Sequence, residues 1–421
     1  MLSILINAYA CSPNMGSEPG MGWNWCASLA LHCELHIITE GEYREQIEVE
    51  VTRLPQGKNM HFYYSPVSEE IRRMCWNQGD WRFYKHYKLW QWKTYQMAKE
   101  ICRQRHIDVL HQLNMIGFRE PGYLWKLSEE QNIPFVWGPI GGLKQFPEAY
   151  LNGAGWKMNL FMRLKNRLNI WQLKYDGRVN RAFKQAKLLI SSIPDSYHAI
   201  KKYKGLESVV IPETGCFLSE DSSSDEKRFF NDTLTVMWVG KFDFRKRLDI
   251  AIKAIAATEN KRIRLCVYGT GNEDLVAGMK RLVAKNGLDE QIQWMGNVSN
   301  QQVKEDMRKA DVFLFTSVSE DTSTVVLEAV SAHLPVLCFE ACGMSAVITE
   351  DVGRKVPLTT PAQSIKDFAV QLNALFNDRQ KLKRLSENCK QRGVELSWES
   401  KAQRVKEKYE EFCMGDALSL K

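Results

Sequence analysis

Short apolar runs recur along the chain, and the stretches between them carry apolar residues at helical rather than alternating spacing. In the first half the runs are LSILINA, ELHIIT, HFYYS, DVLHQL, PFVWG and KLLISS; in the second they are LTVMWVG, IRLCVYG, IQWMG, DVFLFTS and PVLCF. Runs this short, rich in branched and aromatic residues, predict parallel strands covered on both faces. Their alternation with helices predicts two doubly wound α/β sheets with right-handed crossovers. Between the two sets, IPETGCFLSEDSSSDEKRFFND turns polar, acidic and serine-rich near Ser222 to Asp225, which marks a domain boundary. The expected domains are residues 1–212 and 213–396, followed by a helical segment, 397–421. Ligands of such sheets bind beyond the carboxyl ends of the strands, so a cleft between the two domains is the expected site.

One strand-loop-helix unit carries an unusual pair of acids. In SEDTSTVVLEAVSAHLPV, Ser319 to Val336, Glu320 and Glu328 stand eight positions apart. DVFLFTS precedes them as a buried strand, Asp321 or Thr322 is the expected helix N-cap, and STVVLEAVSAH continues with helical spacing. Glu320 then lies in the loop at the strand's carboxyl end. Glu328 lies two turns on, sharing a stripe with Thr324 and Ala332. Two readings fit: acids that face a ligand, or a half-buried Glu328 paired to a cation beside a solvated Glu320.

Composition narrows the classes. A chain of 421 residues exceeds one ordinary core and suits two domains. A formal net charge of +7 fits an anionic substrate or a membrane surface, but no nucleic-acid recognition motif accompanies it. None of the 11 cysteines forms a C-x-x-C pair, and Cys26, Cys266 and Cys338 sit in apolar runs where a thiol packs as a small hydrophobe. A reducing, cytoplasmic location is expected. MLSILINAYA lacks the positive start of a secretory signal, and no apolar stretch is long enough to span a bilayer.

Glycine and lysine mark further loops. Gly240 ends a predicted strand and leads to Lys241, Arg245 and Lys246 near a helix start, a favourable place for phosphate; a solvated basic turn has the same sequence. VYGTG contributes Gly269 and Gly271, and MGNVSNQQV contributes Gly296, Asn297 and Val298 at another strand end. In the first half, Gly16, Ser17, Glu18 and Gly20 follow a strand within a loop that reaches Gly22. Its spacing fits neither the dinucleotide fingerprint nor a P-loop, and its glycines would let a ligand approach the backbone closely. Glu18 is an acid candidate there or an exposed loop residue.

Taken together, Gly240 with Lys246, VYGTG, MGNVSNQQV, and the Glu320 and Glu328 pair followed by AVSAHLPVL resemble family four of the retaining glycosyltransferases. SPNMGSEPGMGWNW, HQLNMIGFREPGYLW and PFVWGPIGG resemble a bacterial, polysaccharide-type branch of it. The resemblance covers nearly the whole chain and implies the GT-B fold, two Rossmann-like domains facing across a cleft, with a final helix crossing back to the first. It implies transfer of a sugar from a nucleoside diphosphate donor, held by the second domain, to a glycan or lipid-linked acceptor held by the first, in surface polysaccharide assembly. Carried over, Glu328 takes the ribose hydroxyls and Glu320 the donor sugar's, since a carboxylate accepts from neutral hydroxyls. Asp321, Thr322, Ser323 and Thr324 offer amides to the diphosphate. Lys241 and Lys246 neutralise its growing charge in place of a divalent metal, and Arg245, Gly269, Gly271, Asn297 and Val298 line the donor site. No cofactor is expected, and no Asp-x-Asp pair occurs.

The sequence departs from the family in three places. Lys241 stands where arginine is usual, Asp321 where glycine is usual, and WGPIGG, with Gly138 and Gly141, where many members carry a histidine. His111, ending DVLHQL, is the substitute candidate, although a histidine at a strand end is commonly structural. The missing histidine and Asp321 keep open a nucleotide-sugar-binding, membrane-associated protein without turnover, and a GT-B epimerase or phosphorylase is a separate alternative. Finally, GWKMNLFMRLKNRLNIWQLKYDGRVNRAFKQAK and WRFYKHYKLWQWKTYQMAK mix basic and aromatic residues. Such helices either lie on anionic lipid at the inner membrane face or pack their aromatics inward.

Overall fold

The computed structural model describes residues 1–77, 80–151, 154–218 and 229–418, with side chains up to residue 413; the serine-rich stretch Ser222 to Asp225 lies outside the described residues. In the first half, strands form at Ser3–Ala8 (β1), Glu34–Thr39 (β2), Met60–Tyr64 (β3), Val109–Asn114 (β4), Phe135–Ile140 (β5), Ala186–Ser191 (β6) and Val209–Val210 (β7). The second half has Leu234–Val239 (β8), Ile263–Tyr268 (β9), Ile292–Gly296 (β10), Val312–Phe315 (β11), Val336–Phe339 (β12) and Gly353–Val356 (β13). All predicted runs form strands within two residues of their expected bounds. The two additional ones, β7 and β13, are short edge strands whose sequences lack an extended apolar run.

Each set forms one parallel sheet, ordered β3-β2-β1-β4-β5-β6-β7 and β10-β9-β8-β11-β12-β13. The order reverses beside β1 in the first sheet and beside β8 in the second. Loops after β1 and β4, and after β8 and β11, therefore leave in opposite directions and open a crevice. Period-two alternation explains why both faces are apolar: Val236, Trp238 and Leu314 join one core cluster, while Met237, Phe313 and Phe315 join another.

The chain divides into two compact units. One comprises Met1–Lys144, Leu168–Glu213 and Trp398–Lys421, and the other Gln145–Arg167 and Thr214–Ser397. In the first, the helix Trp398–Leu418 buries Trp398, Ala402, Val405, Tyr409 and Phe412 at alternating spacings of four and three, in the same core as Trp25 and Cys26 of the helix Ser17–Leu29. In the second, the segment before residue 167 is tied in by Tyr150, whose hydroxyl is 2.6 Å from that of Ser364. Among the described residues, no helix is long and apolar enough to cross a membrane.

Candidate functional site

In the second unit, three adjacent strand ends build one cavity. The Gly240 amide donates to the Tyr268 carbonyl (3.0 Å), and the Gly269 amide to the Gly296 carbonyl (2.7 Å), so the loops after β8, β9 and β10 are stitched side by side. Gly269 sits at φ +114°, and a Cβ there would stand 2.0 Å from the Gly240 carbonyl oxygen. Only glycine permits this approach. The resulting cavity, about 480 Å³, is lined by Gly240, Lys241, Gly269, Gly271, Asn297 and Val298 among others, with the exposed Lys241 at its edge. Six residues singled out from separate motifs thus share one space.

The switch point carries the charges. Loops after β8 and β11 are fastened by Thr316, whose hydroxyl lies 2.8 Å from the Lys246 carbonyl, by Ser317, whose hydroxyl oxygen lies 3.3 Å from the Arg245 carbonyl, and by the Val318 amide on the same carbonyl (2.9 Å). They bring the Lys246 ammonium 2.7 Å from Glu320 Oε1, both largely buried, and Ser317 donates to the same oxygen at 3.1 Å. Thr316 and Ser317 were not singled out in the sequence; their signal is a hydroxyl pair at a strand's carboxyl end. Arg245 turns its fork onto Asp243, with a shortest contact of 2.6 Å, and Glu320 acts on it through charge alone.

Glu328 lines a separate cavity of about 240 Å³ with Thr324, Lys304 and Arg308. Burial raises its carboxyl above the ordinary glutamate range, while Lys304 pulls it back. The helix Asn300–Met307 borders both cavities, through Asn300 and Val303 on one and Lys304 on the other. Lys304 and Arg308 were missed because their helix reads as an ordinary solvated one. The helix holding Glu328 begins at Thr324, with Ser323 at its N-cap and no side-chain capping bond. This corrects the expectation of a cap by Asp321 or Thr322. Gly343 packs so closely on Thr322 that a Cβ would come within 2.3 Å of its hydroxyl oxygen, and its amide donates to the Asp321 carbonyl (3.2 Å); those two residues are held against that loop before the helix starts.

In the first unit, Glu18 Oε1 accepts from the Ile116 amide (2.7 Å), and the Gly141 amide donates to the Ile116 carbonyl (2.7 Å). The glycine loop at Gly16 and Ser17, where Ser17 takes φ +55°, is thereby joined to the loop holding Gly141. Gly20 packs its α-carbon against the Met15 carbonyl, where a Cβ would sit 1.9 Å away. His111 does not join them. It is completely buried, with Nε2 2.6 Å from the Gly138 carbonyl and Nδ1 2.6 Å from the Tyr409 hydroxyl. Burial lowers its pKa to about 4, so the ring is neutral, donating from Nε2 and accepting at Nδ1. With both nitrogens engaged it cannot stand in for a histidine beside a sugar.

Residues 219–392 match the family model described as glycosyl transferases group 1. That match covers most of the second unit. Among curated relatives, the gpi3 subunit of phosphatidylinositol N-acetylglucosaminyltransferase from Schizosaccharomyces pombe is 24% identical over 217 residues, 50% of this chain and 45% of that one. The chain thus spans less than half the length of that relative. The solved structure of Anabaena Alr3699/HepE in complex with UDP superposes with a TM-score of 0.60 at 15% identity, covering 97% of this chain and 99% of that one. Sucrose-phosphate synthase from Thermosynechococcus elongatus gives 0.61 at 15% identity, covering 99% and 100%. These likenesses establish the fold, GT-B with two Rossmann-like units, in agreement with the strand pattern. Gly240, the Lys246 and Glu320 pair and Glu328 all lie within the residues that the family model matches.

Proposed function

We propose that the protein is a retaining glycosyltransferase of family four. It would move a hexosyl group from a nucleoside diphosphate sugar, held by the second unit, to a glycan or lipid-linked oligosaccharide held by the first, in surface polysaccharide assembly. The observation that carries this reading is the Lys246 and Glu320 contact at the switch point of the sheet whose residues match the group 1 family model. In this reading Glu320 orients Lys246 and accepts from hydroxyls of the donor sugar, while the ammonium meets the diphosphate that departs with the electron pair of the broken glycosidic bond. Lys241 adds charge from the neighbouring loop, and Glu328 holds the ribose. Lysines supply the charge compensation assigned elsewhere to a divalent metal. Stabilising a leaving group this way is worth about 10²–10³ in rate per donor.

Contact with the cytoplasmic face of a membrane is part of the proposal. The helix Gly155–Tyr175 exposes Trp156, Phe161, Leu164, Leu168, Trp171 and Tyr175 and contains five basic residues and no acid. Exposed aromatics beside cations suit an interface with anionic lipid. In a pelleting assay, vesicles rich in anionic lipid should retain the protein at low salt, and serine at Trp156, Phe161 and Trp171 should release it. Equal retention of the variant would remove the membrane from the account. Turnover is tested by incubating the protein with a panel of nucleoside diphosphate sugars and lipid-linked glycans. Lys246→Ala should lower the rate about 10²–10³-fold with the fold intact; nucleotide binding with no transfer to any acceptor would favour a non-catalytic binding protein.

A further inference from the structure

The first unit contains a cavity of about 320 Å³ beyond the ends of β1 and β2, at the low end of the size range of small-molecule sites. Its wall is aromatic and acidic together. Tyr9, Tyr43, Trp76, Phe83 and Tyr84 line it, and Trp76 and Tyr84 are 48% and 46% exposed. Glu18, Glu40, Glu42 and Asp80 contribute carboxylates, Glu18 with one oxygen on the Ile116 amide at 2.7 Å, and among the described residues no Lys or Arg lines the cavity. Two of these charges are compensated from outside the wall, Glu40 by Arg72 at 3.0 Å and Asp80 by Arg82 at 2.6 Å. Glu42 is different: it accepts from the neutral indole of Trp76 at 3.0 and 3.2 Å, which fixes both side chains and leaves the negative charge in place.

Resting on the glycosyltransferase reading, we propose that this cavity holds the acceptor and that its walls select an uncharged sugar ring over a phosphorylated or carboxylated one. An exposed indole offers a flat, electron-rich face to the C–H bonds of a pyranose. A fixed carboxylate accepts from ring hydroxyls. The same carboxylate in a wall without cations repels a phosphate or uronate, whose desolvation nothing there compensates.

Saturation-transfer NMR and tryptophan quenching with neutral methyl glycosides and disaccharides, against glucose 6-phosphate and glucuronate, test this directly. At least one neutral glycoside should bind, the anionic sugars should bind at least tenfold more weakly, Trp76→Ala should abolish the signal, and Glu42→Gln should narrow the discrimination. Anionic sugars binding as well as neutral ones, neutral binding that survives Trp76→Ala, or no glycoside binding at tens of millimolar would each overturn the inference. The same preparation is scanned for stabilisation by nucleoside diphosphates. If those bind while the sugar result fails, the donor site stands and only this inference falls; if no nucleotide binds, the underlying reading falls.

Discussion

Glu328 shows what a single carboxylate reports. Its burial raises the proton affinity of the folded state, so in the free protein it stabilises below the ordinary glutamate range and that contribution is lost as pH rises through its raised pKa. Glu328→Gln should therefore melt higher than wild type at neutral pH and alike in acid, while nucleotide binding is lost; melting curves across pH check both. His111 runs the other way. Its lowered pKa means that stability falls as pH drops from about 6.5 towards 4, by on the order of 3 kcal/mol, with the imidazole still neutral by NMR at pH 5. Gly269→Ala places a Cβ against the Gly240 carbonyl at positive φ and should cost about 2–3 kcal/mol in denaturant unfolding. At this scale the sequence was readable for charge and glycine, because Gly240, Gly269 and Gly271 stand at strand ends that the apolar pattern already marks. It was not readable for His111, since nothing local announces that Tyr409, 298 positions away, will bond its ring. Lys304 and Arg308 escaped because their helix has the sequence of an ordinary solvated one.

At the scale of elements, the strands were legible because burial on both faces leaves an unbroken apolar run, and β7 and β13 escaped because edge strands do not need one. Helix starts were less legible. Ser323, not Asp321 or Thr322, is the N-cap of the helix of Glu328, since the packing of Gly343 on Thr322 overrides the capping preference. The helix Trp398–Leu418 is a necessary wall of the first core. Deleting it uncovers the apolar faces of Trp25 and Cys26 and removes the Tyr409 hydroxyl from His111, so a chain ending near Glu395 should fail to fold cooperatively. Tyr409→Phe, a milder test, should cost about 1–2 kcal/mol in the same unfolding measurement.

For the whole molecule, the central claim is that the second unit's strand-end loops hold a nucleoside diphosphate, with Glu328 as an essential contact. Thermal stabilisation by UDP, GDP, ADP, CDP and dTDP, each with and without magnesium, tests it most directly. A nucleotide at a hundred times its dissociation constant adds about 2.7 kcal/mol, which a melting scan resolves. The account predicts that one nucleotide stabilises the wild type equally with and without magnesium and leaves Glu328→Ala unmoved. No stabilisation by any nucleotide, or a shift undiminished in Glu328→Ala, would contradict it.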